Sequence, residues 1–272
     1  MSAEKPFGHL KPGIYQSLIM FIARYSFFGR GYARKLLARL LKATKSDFLD
    51  IHALNCKFRA SLRDNNPELK MILRPDHYAA AEISFLRRSL KAGDVFVDIG
   101  ANAGIFTLVA ADVLAGNGRV ISFEPNPTMF DRLKKNISFN PGTDITPIQA
   151  AVSDTAGSIW FDSNEAELGG SHVSSAKGEK SIEVQSCILH EKLLDLGVSQ
   201  IAGIKIDVEG HEDHAILPFL DQESIPLPHF IIMETIFLKH RKSCLDELLE
   251  RGYRAVYESS ANVCLLLDEG TK

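Results

Sequence analysis

The sequence predicts an α/β chain, with a mostly parallel sheet covered by helices on both faces and a basic helical extension in front of it. Three observations predict this. From Val95 onward, short apolar runs alternate with segments of helical period; the first run ends in an acid followed by a glycine-rich turn; and residues 1–45 are basic and amphipathic. At 272 residues the chain can bury one large core with modest additions. Apolar residues at 45% and charged residues at 24% exclude the disordered and fibrous classes. Cys56, Cys187, Cys244 and Cys264 lie far apart, with no C-x-x-C pair or Cys/His cluster. Neither structural zinc nor a disulfide framework is expected, and a reducing cytoplasm is the expected compartment.

Net charge is only −3, but it is unevenly spread. Lys5, Lys11, Arg24, Arg30, Arg34, Lys35, Arg39, Lys42 and Lys45 stand against Glu4 alone, so an acidic partner would feel this arm first. The apolar stretch from Ile14 to Phe28 is broken by Gln16 and Arg24, shorter than the roughly 20 residues of a membrane span, and not followed by a cleavage-site pattern. Ile14 to Lys42 has helical period, with Leu36, Leu37, Leu40 and Leu41 on one face flanked by Arg34, Lys35, Arg39 and Lys42. A helix packed on its own globular domain is the favoured reading; an interfacial helix on anionic lipid is the alternative.

Residues 1–75 are expected to form this extension with a short hairpin, and 76–272 the main domain. Cys56–Leu62 reads as a strand, Asn65-Asn66-Pro67 as a turn and Glu68–Leu73 as the returning strand. Asp76 is placed to cap a helix that runs to about Leu90, with Gly93 closing it. Val95–Ile99 is a nearly continuous apolar strand, as expected for one covered on both faces. Helix Gly104–Leu114, strand Arg119–Glu124, helix Pro127–Phe139 and strand Ile145–Val152 complete a βαβαβ run, which demands right-handed crossovers. Ser158–Asp162 and Ser181–Cys187 read as an added antiparallel pair joined by a Gly/Ser-rich loop (Gly169, Gly170, Ser171, Ser174, Ser175). Then follow helix Leu189–Leu196, strand Gly203–Asp207, helix Asp213–Leu220, strand Phe230–Glu234, helix Lys239–Arg251, and closing strands Tyr253–Glu258 and Val263–Asp268.

The stretch DIGANAG puts Asp98 at a strand end, then Gly100, Asn102 and Gly104 before a helix, the arrangement that holds a ligand at the carboxyl edge of a sheet. A dinucleotide wants G-x-G-x-x-G for its pyrophosphate, whereas here the spacing is G-x-x-x-G behind a carboxylate that would repel phosphate. A cationic amino-acid nucleoside, S-adenosylmethionine (SAM), fits better, with Asp98 facing its ammonium directly or through water. Glu124 ends the next strand, where an acid can accept hydrogen bonds from two ribose hydroxyls, with Asn126 over the same cleft. The plainer role for Glu124 is a cap on the following helix. The third strand ends in AAVSD, which puts Ala151 and Asp154 near an adenine edge.

KIDVEGHE, Lys205 to Glu212, sets Asp207, Glu209 and His211 at a strand end beside the cofactor strand, as a catalytic or acceptor-orienting cluster. Glu212 and Asp213 suit the N-terminus of the next helix instead. As a set, DIGANAGIFTL (98–108), FEPNP (123–127), AAVSD (150–154) and KIDVEGHE (205–212) resemble the FkbM family of SAM-dependent methyltransferases, in order and in spacing, over about 82–234. The resemblance implies a Rossmann-like class I methyltransferase fold, a seven-stranded sheet with one antiparallel strand. It also implies O-methylation of a sugar, glycan or natural-product hydroxyl, and cofactor roles for Asp98, Gly100, Asn102, Gly104 and Glu124. One departure is Leu189-His190-Glu191, where the family usually carries a Leu-Asp pair.

A high-pKa hydroxyl must lose its proton during attack, a role expected of Asp207, Glu209 or His211. A divalent cation held by Asp207 and Glu234 is the less favoured route to the same end. Asp207-Val208-Glu209-Gly210 stands where exocyclic-amine methyltransferases carry D/N-P-P-Y/F, so oxygen is favoured over a base nitrogen and no nucleic-acid partner is expected. The rival readings are a nicotinamide-dependent sugar oxidoreductase, against which the glycine spacing counts, and a non-catalytic SAM-binding module.

Overall fold

The computed structural model describes residues 5–25, 31–162, 167–174, 177–178, 181–238 and 243–268. The helical N-terminal stretch forms α1 (Ile14–Tyr25) and α2 (Gly31–Lys42), and the residues between them lie outside the described set. An antiparallel hairpin follows, β1 (Phe48–Ala53) and β2 (Cys56–Ser61). Its second arm is the predicted one, but its partner lies upstream rather than at 68–73. That segment is a helix, α3 (Asn66–Leu73), because the Asn65 side chain accepts the Glu68 N–H and Pro67 sits in the first turn, where its missing N–H costs nothing. Asp76 falls in a single 3₁₀ turn (Pro75–His77) and caps nothing; α4 (Ala80–Ser89) starts after Ala79, which has positive φ.

The core proceeds through β3 (Val95–Ile99), α5 (Ile105–Leu114), β4 (Arg119–Phe123), α6 (Pro127–Ser138), β5 (Asp144–Ile148) and β6 (Ala151–Val152). The single strand predicted over 145–152 is broken at Gln149-Ala150. β5 stays in the main sheet, while β6 leaves it to join β7 (Gly157–Asp162), β8 (His172–Ser174) and β9 (Ser181–Cys187) in a four-stranded sheet. The predicted 158–162/181–187 pairing is present as β7 against β9; part of its connecting loop is β8, and Ser175 lies outside the described residues. The chain ends with α7 (Leu189–Asp195), β10 (Gly203–Ile206), α8 (Glu212–Leu220), β11 (Phe230–Glu234), α9 (Cys244–Glu250), β12 (Tyr253–Glu258) and β13 (Asn262–Leu267). The start predicted for α9, residues 239–242, is outside the described set.

The main sheet runs β12-β13-β11-β10-β3-β4-β5, with β13 antiparallel to both neighbours and the remaining pairs parallel. This is the seven-stranded class I arrangement that the resemblance implied. Alternate residues of the central strands feed two cores. Val97, Ile121, Ile204 and Ile231 pack with Leu193, Ile216, Phe219 and Leu248 on one face; Phe96, Val120 and Phe230 pack with Leu86, Val109 and Leu114 on the other. A third cluster joins Ile19, Met20, Ala23, Leu37 and Leu41 to the hairpin, to α3, and to Ile105 and Leu108 of α5. The N-terminal helices are therefore continuous with the packing that supports the glycine loop. A buried Arg59–Asp50 ion pair at 2.7 Å ties the two arms of the hairpin together, and the Arg59 N–H bond to Asn136 Oδ1 at 2.8 Å pins it to α6.

Candidate active site

The strand ends of β3, β4 and β10 meet at a cleft lined by Gly100, Ala101 and Asn102, by Phe123, Glu124 and Pro125, by Ala150, Ala151 and Val152, and by Lys205, Asp207, Glu209 and His211. Gly100 has φ +77°, and a Cβ there would overlap the Asp207 carbonyl. Only glycine lets the loop after β3 cross so close to the end of β10, so this residue brings the cofactor strand and the acidic strand together. Gly104 (φ +91°) serves packing instead, since a Cβ would meet Leu133 Cδ1 at 2.6 Å; it lets α5 and α6 approach and does not line the cleft. Asn102 sits at φ +52°, its Oδ1 accepting Ala103 N–H at 2.8 Å and Asn65 Nδ2 at 2.6 Å. The segment before α3 thereby braces the loop.

Glu124 lines the cleft and its carboxylate accepts Asn102 N–H at 2.7 Å and Asn126 N–H at 2.9 Å. Burial pushes its carboxyl up to about 7 against those bonds. It does not cap α6. That is the work of Asn126, whose side chain accepts the Thr128 and Met129 N–H groups, so the expected reach of Asn126 over the cleft is corrected to a buried helix cap.

Asp98 is also placed differently from expectation. It is fully buried, does not line the cleft, and is held by Thr107 Oγ1 at 2.6 Å, with Lys205 Nζ 3.6 Å away. Burial raises its carboxyl and Lys205 opposes that rise. The group that faces the cleft is Lys205, which donates to the Gly100 carbonyl at 2.8 Å and lies 3.2 Å from Asp207 Oδ2. Burial alone would lower the ammonium, but Asp207 and Asp98 more than restore it. Tyr78, between the 3₁₀ turn and α4, lines the same cleft; burial and then Asp207 raise its hydroxyl, which stays a donor. Sequence reading missed both groups. A lysine inside the apolar run Ile204-Lys205-Ile206 was the available signal for the first, whereas nothing local marks Tyr78.

Asp207, Glu209 and Glu234 bring one carboxylate oxygen each within 4.8 Å of the others. Glu209 takes a positive φ of 53° to do so. Burial and then Asp207 push Glu209 up to about 7 and Glu234 up to about 9, so the cluster holds protons at neutral pH. Three oxygens at this spacing could also serve a hard divalent cation, although Lys205 already supplies positive charge beside Asp207. His211 lines the cleft, shares a hydrogen bond with Ser153 Oγ at 3.0 Å and stacks on His214; burial, then His214, lowers it to about 4. Ala151 contributes to an apolar wall with Val152 and Phe161, but Asp154 is off the cleft, paired with His214 at 2.8 Å. Glu212 and Asp213 both lie in the first turn of α8, as expected; Glu212 accepts the Gly210 N–H, whereas the Asp213 side chain accepts the Cys244 N–H at the start of α9.

A wider hollow of about 870 Å³ shares Tyr78, Lys205, Asp207 and Glu209 with the cleft and adds Glu234. Its rim carries Arg34, Lys70, Arg74 and His77.

Residues 98–255 match the Methyltransferase FkbM domain. The chain belongs to the FkbM methyltransferase family. Among FkbM and other methyltransferases it resembles, hexuronic acid methyltransferase AglP of Haloferax volcanii is 33% identical over 131 residues, 48% of this chain and 52% of AglP. The chain thus spans about half the length of that curated relative. Of solved structures, precorrin-6y C5,15-methyltransferase from Geobacter metallireducens is 15% identical with a TM-score of 0.44, covering 72% of this chain and 89% of that one. Aeropyrum pernix fibrillarin with natively bound SAM is 14% identical with a TM-score of 0.43, covering 69% and 74%. The family's cofactor is SAM, and the donor set suits it: a carboxylate at the β4 end for ribose hydroxyls, an apolar wall for a base and an ammonium for a carboxylate. Glu124→Ala is therefore expected to weaken SAM binding at least about tenfold, since a hydrogen bond to a charged group contributes roughly 1.5–3 kcal/mol. Titration calorimetry checks it.

Proposed function

We propose that this FkbM member transfers a methyl group from SAM to a hydroxyl of a sugar or glycan acceptor, and that the acceptor carries a negative charge. The observation that carries the reading is the junction of the two hollows: a cleft suited to the nucleoside opens directly onto Asp207, Glu209 and Glu234. The name of the Haloferax volcanii relative, a hexuronic acid methyltransferase, supports an acidic sugar.

Bound SAM supplies an electrophilic methyl group on a sulfonium that is already a good leaving group. Glu124, the backbone from Gly100 to Asn102, and Lys205 would hold it, with Ala151 and Phe161 against the base. Asp98 acts at one remove, keeping Lys205 in place. Of the three candidate bases, Asp207 is paired with Lys205 Nζ at 3.2 Å, and His211 is tied to Ser153 and weakly basic. Glu209, at about 7, is matched to removing a hydroxyl proton at neutral pH. Tyr78 donates a hydrogen bond that orients the acceptor oxygen. The crowded acids would repel a carboxylate from the reacting position, which favours a hydroxyl as the methylated group and turns the acceptor's charge towards Arg34 and Lys70 at the rim.

The test offers the purified chain SAM with glycosides of a uronic acid and of the matching neutral hexose, and reads S-adenosylhomocysteine and methylated sugar by mass spectrometry. Turnover with the acidic glycoside and a lower KM for it than for the neutral one is expected. Replacing Lys70 with alanine should raise that KM roughly tenfold, the loss of one charge-assisted bond, and leave the neutral acceptor's KM unchanged. No methyl transfer to any sugar would overturn the reading.

A further inference from the structure

We propose that the outward face of the α1–α2 pair docks on an anionic lipid surface. Each helix has two apolar sides. Ile19, Met20 and Ala23 of α1 and Leu37 and Leu41 of α2 are buried in the cluster that reaches α5. The second side is largely exposed: Ile14 is 93% exposed, Phe21 59%, Tyr32 80% and Leu36 51%, with Leu18 at 54% and Leu40 at 37%. Ile14, Leu18 and Phe21 follow the i, i+4, i+7 spacing of one face, as do Tyr32, Leu36 and Leu40 at i, i+4, i+8. More than half of the large apolar side chains exposed among the described residues lie on these two helices. Apolar side chains exposed singly need no explanation, whereas stripes of them along two packed helices mark an interaction surface.

Charge selects the partner. Between Lys5 and Ser46 the sequence contains no acid, and Lys35 and Arg39 stand exposed on α2 next to the uncovered stripe. Neither makes an ion pair among the described residues. A second copy docking face to face would set this basic surface against itself, a repulsive arrangement in a two-fold interface. An anionic headgroup layer over acyl chains satisfies both features at once, with apolar side chains entering the boundary and lysine and arginine at the headgroups. No helix among the described residues is long and apolar enough to cross a membrane, so the pair would lie on the surface. Arg34 of α2 is also on the rim of the acceptor hollow, which therefore opens beside the docked face. This inference stands on the helix pair alone and does not depend on which acceptor is methylated.

The full chain is sedimented with vesicles of phosphatidylcholine alone and with vesicles enriched in phosphatidylglycerol, at low and high salt. Binding to the anionic vesicles, weakened by salt, is expected. Lys35→Glu with Arg39→Glu should reduce partition at least fivefold, about the effect of a single lost cation near such a surface. Leu18→Asp with Phe21→Asp should abolish it, and both variants, altered at exposed positions, should keep the wild-type circular dichroism and thermal midpoint. Equal binding to both vesicle types, or binding undiminished in the charge-reversed variant, overturns the proposal. So does a solution dimer that Phe21→Asp converts to monomer while neither form binds vesicles.

Discussion

Replacing Lys205 with methionine is expected to destabilise the fold by about 3–5 kcal/mol, the range for removing one partner of a buried ion pair. Lys205 and Asp98 are both buried, their charged atoms 3.6 Å apart, and Asp98 Oδ1 has no hydrogen-bond partner among the described residues. Methionine fills the space of the lysine stem, so the loss is electrostatic rather than a cavity. Burial already raises the Asp98 carboxyl in the wild type, and Lys205 is the first cause opposing it. Without the ammonium the rise is larger, so the folded variant holds a proton that the unfolded chain releases above its ordinary carboxylate range. Unfolding then releases protons, and the variant's stability must fall as pH increases. Urea denaturation at pH 5 and pH 8 should show a deficit that deepens at the higher pH. Adding Asp98→Asn should return most of the lost stability, because the charge that needed compensation is gone, and remove the pH dependence. A Lys205→Met variant as stable as wild type at pH 8 would show that the pair does not hold this strand end together.

The pair also marks the boundary of what the sequence made legible. Strand and helix alternation from Val95 to Leu267 was readable because apolar period reports burial locally, and β11 and β12 fall where the pattern put them. Errors came where one side chain outweighed the pattern: Asn65 as a cap made 66–73 a helix, and the break at Gln149 sent Ala151 to another sheet. At the site, the motif residues Gly100, Asn102, Glu124, Asp207 and Glu209 do converge on one cleft, because strand ends in a parallel sheet share an edge. What the motif did not disclose is which way each acid turns. Asp98 and Glu124 end adjacent strands, yet one is sealed behind a lysine and the other faces the cleft; that difference depends on Thr107 and Lys205, in other elements. Tyr78 enters from outside every motif, through the packing of α4.

Glu209→Gln is expected to lower turnover by about two to four orders of magnitude, the range for losing a positioned base, while SAM affinity stays within about twofold. The size and polarity of the side chain are retained, so the loss reports the proton and not the shape of the pocket. Its pH signature separates it from a structural effect. With Glu209 pushed up to about 7, kcat/KM in the wild type should rise with pH through that value as the carboxylate forms, then level. Glu234, at about 9, keeps its proton over the same interval, so it adds no charge beside Glu209 as that carboxylate forms. Above about 9 that proton is lost and a second, falling limb is expected from charge crowding. The glutamine variant should lose the limb near 7 and retain the one near 9. A chelator should leave wild-type turnover unchanged if the cluster stores protons; turnover abolished by chelation and restored by magnesium would mean that Asp207, Glu209 and Glu234 act through an ion. A limb near 7 that survives in Glu209→Gln would move the base elsewhere, and His211, lowered to about 4, could not supply it.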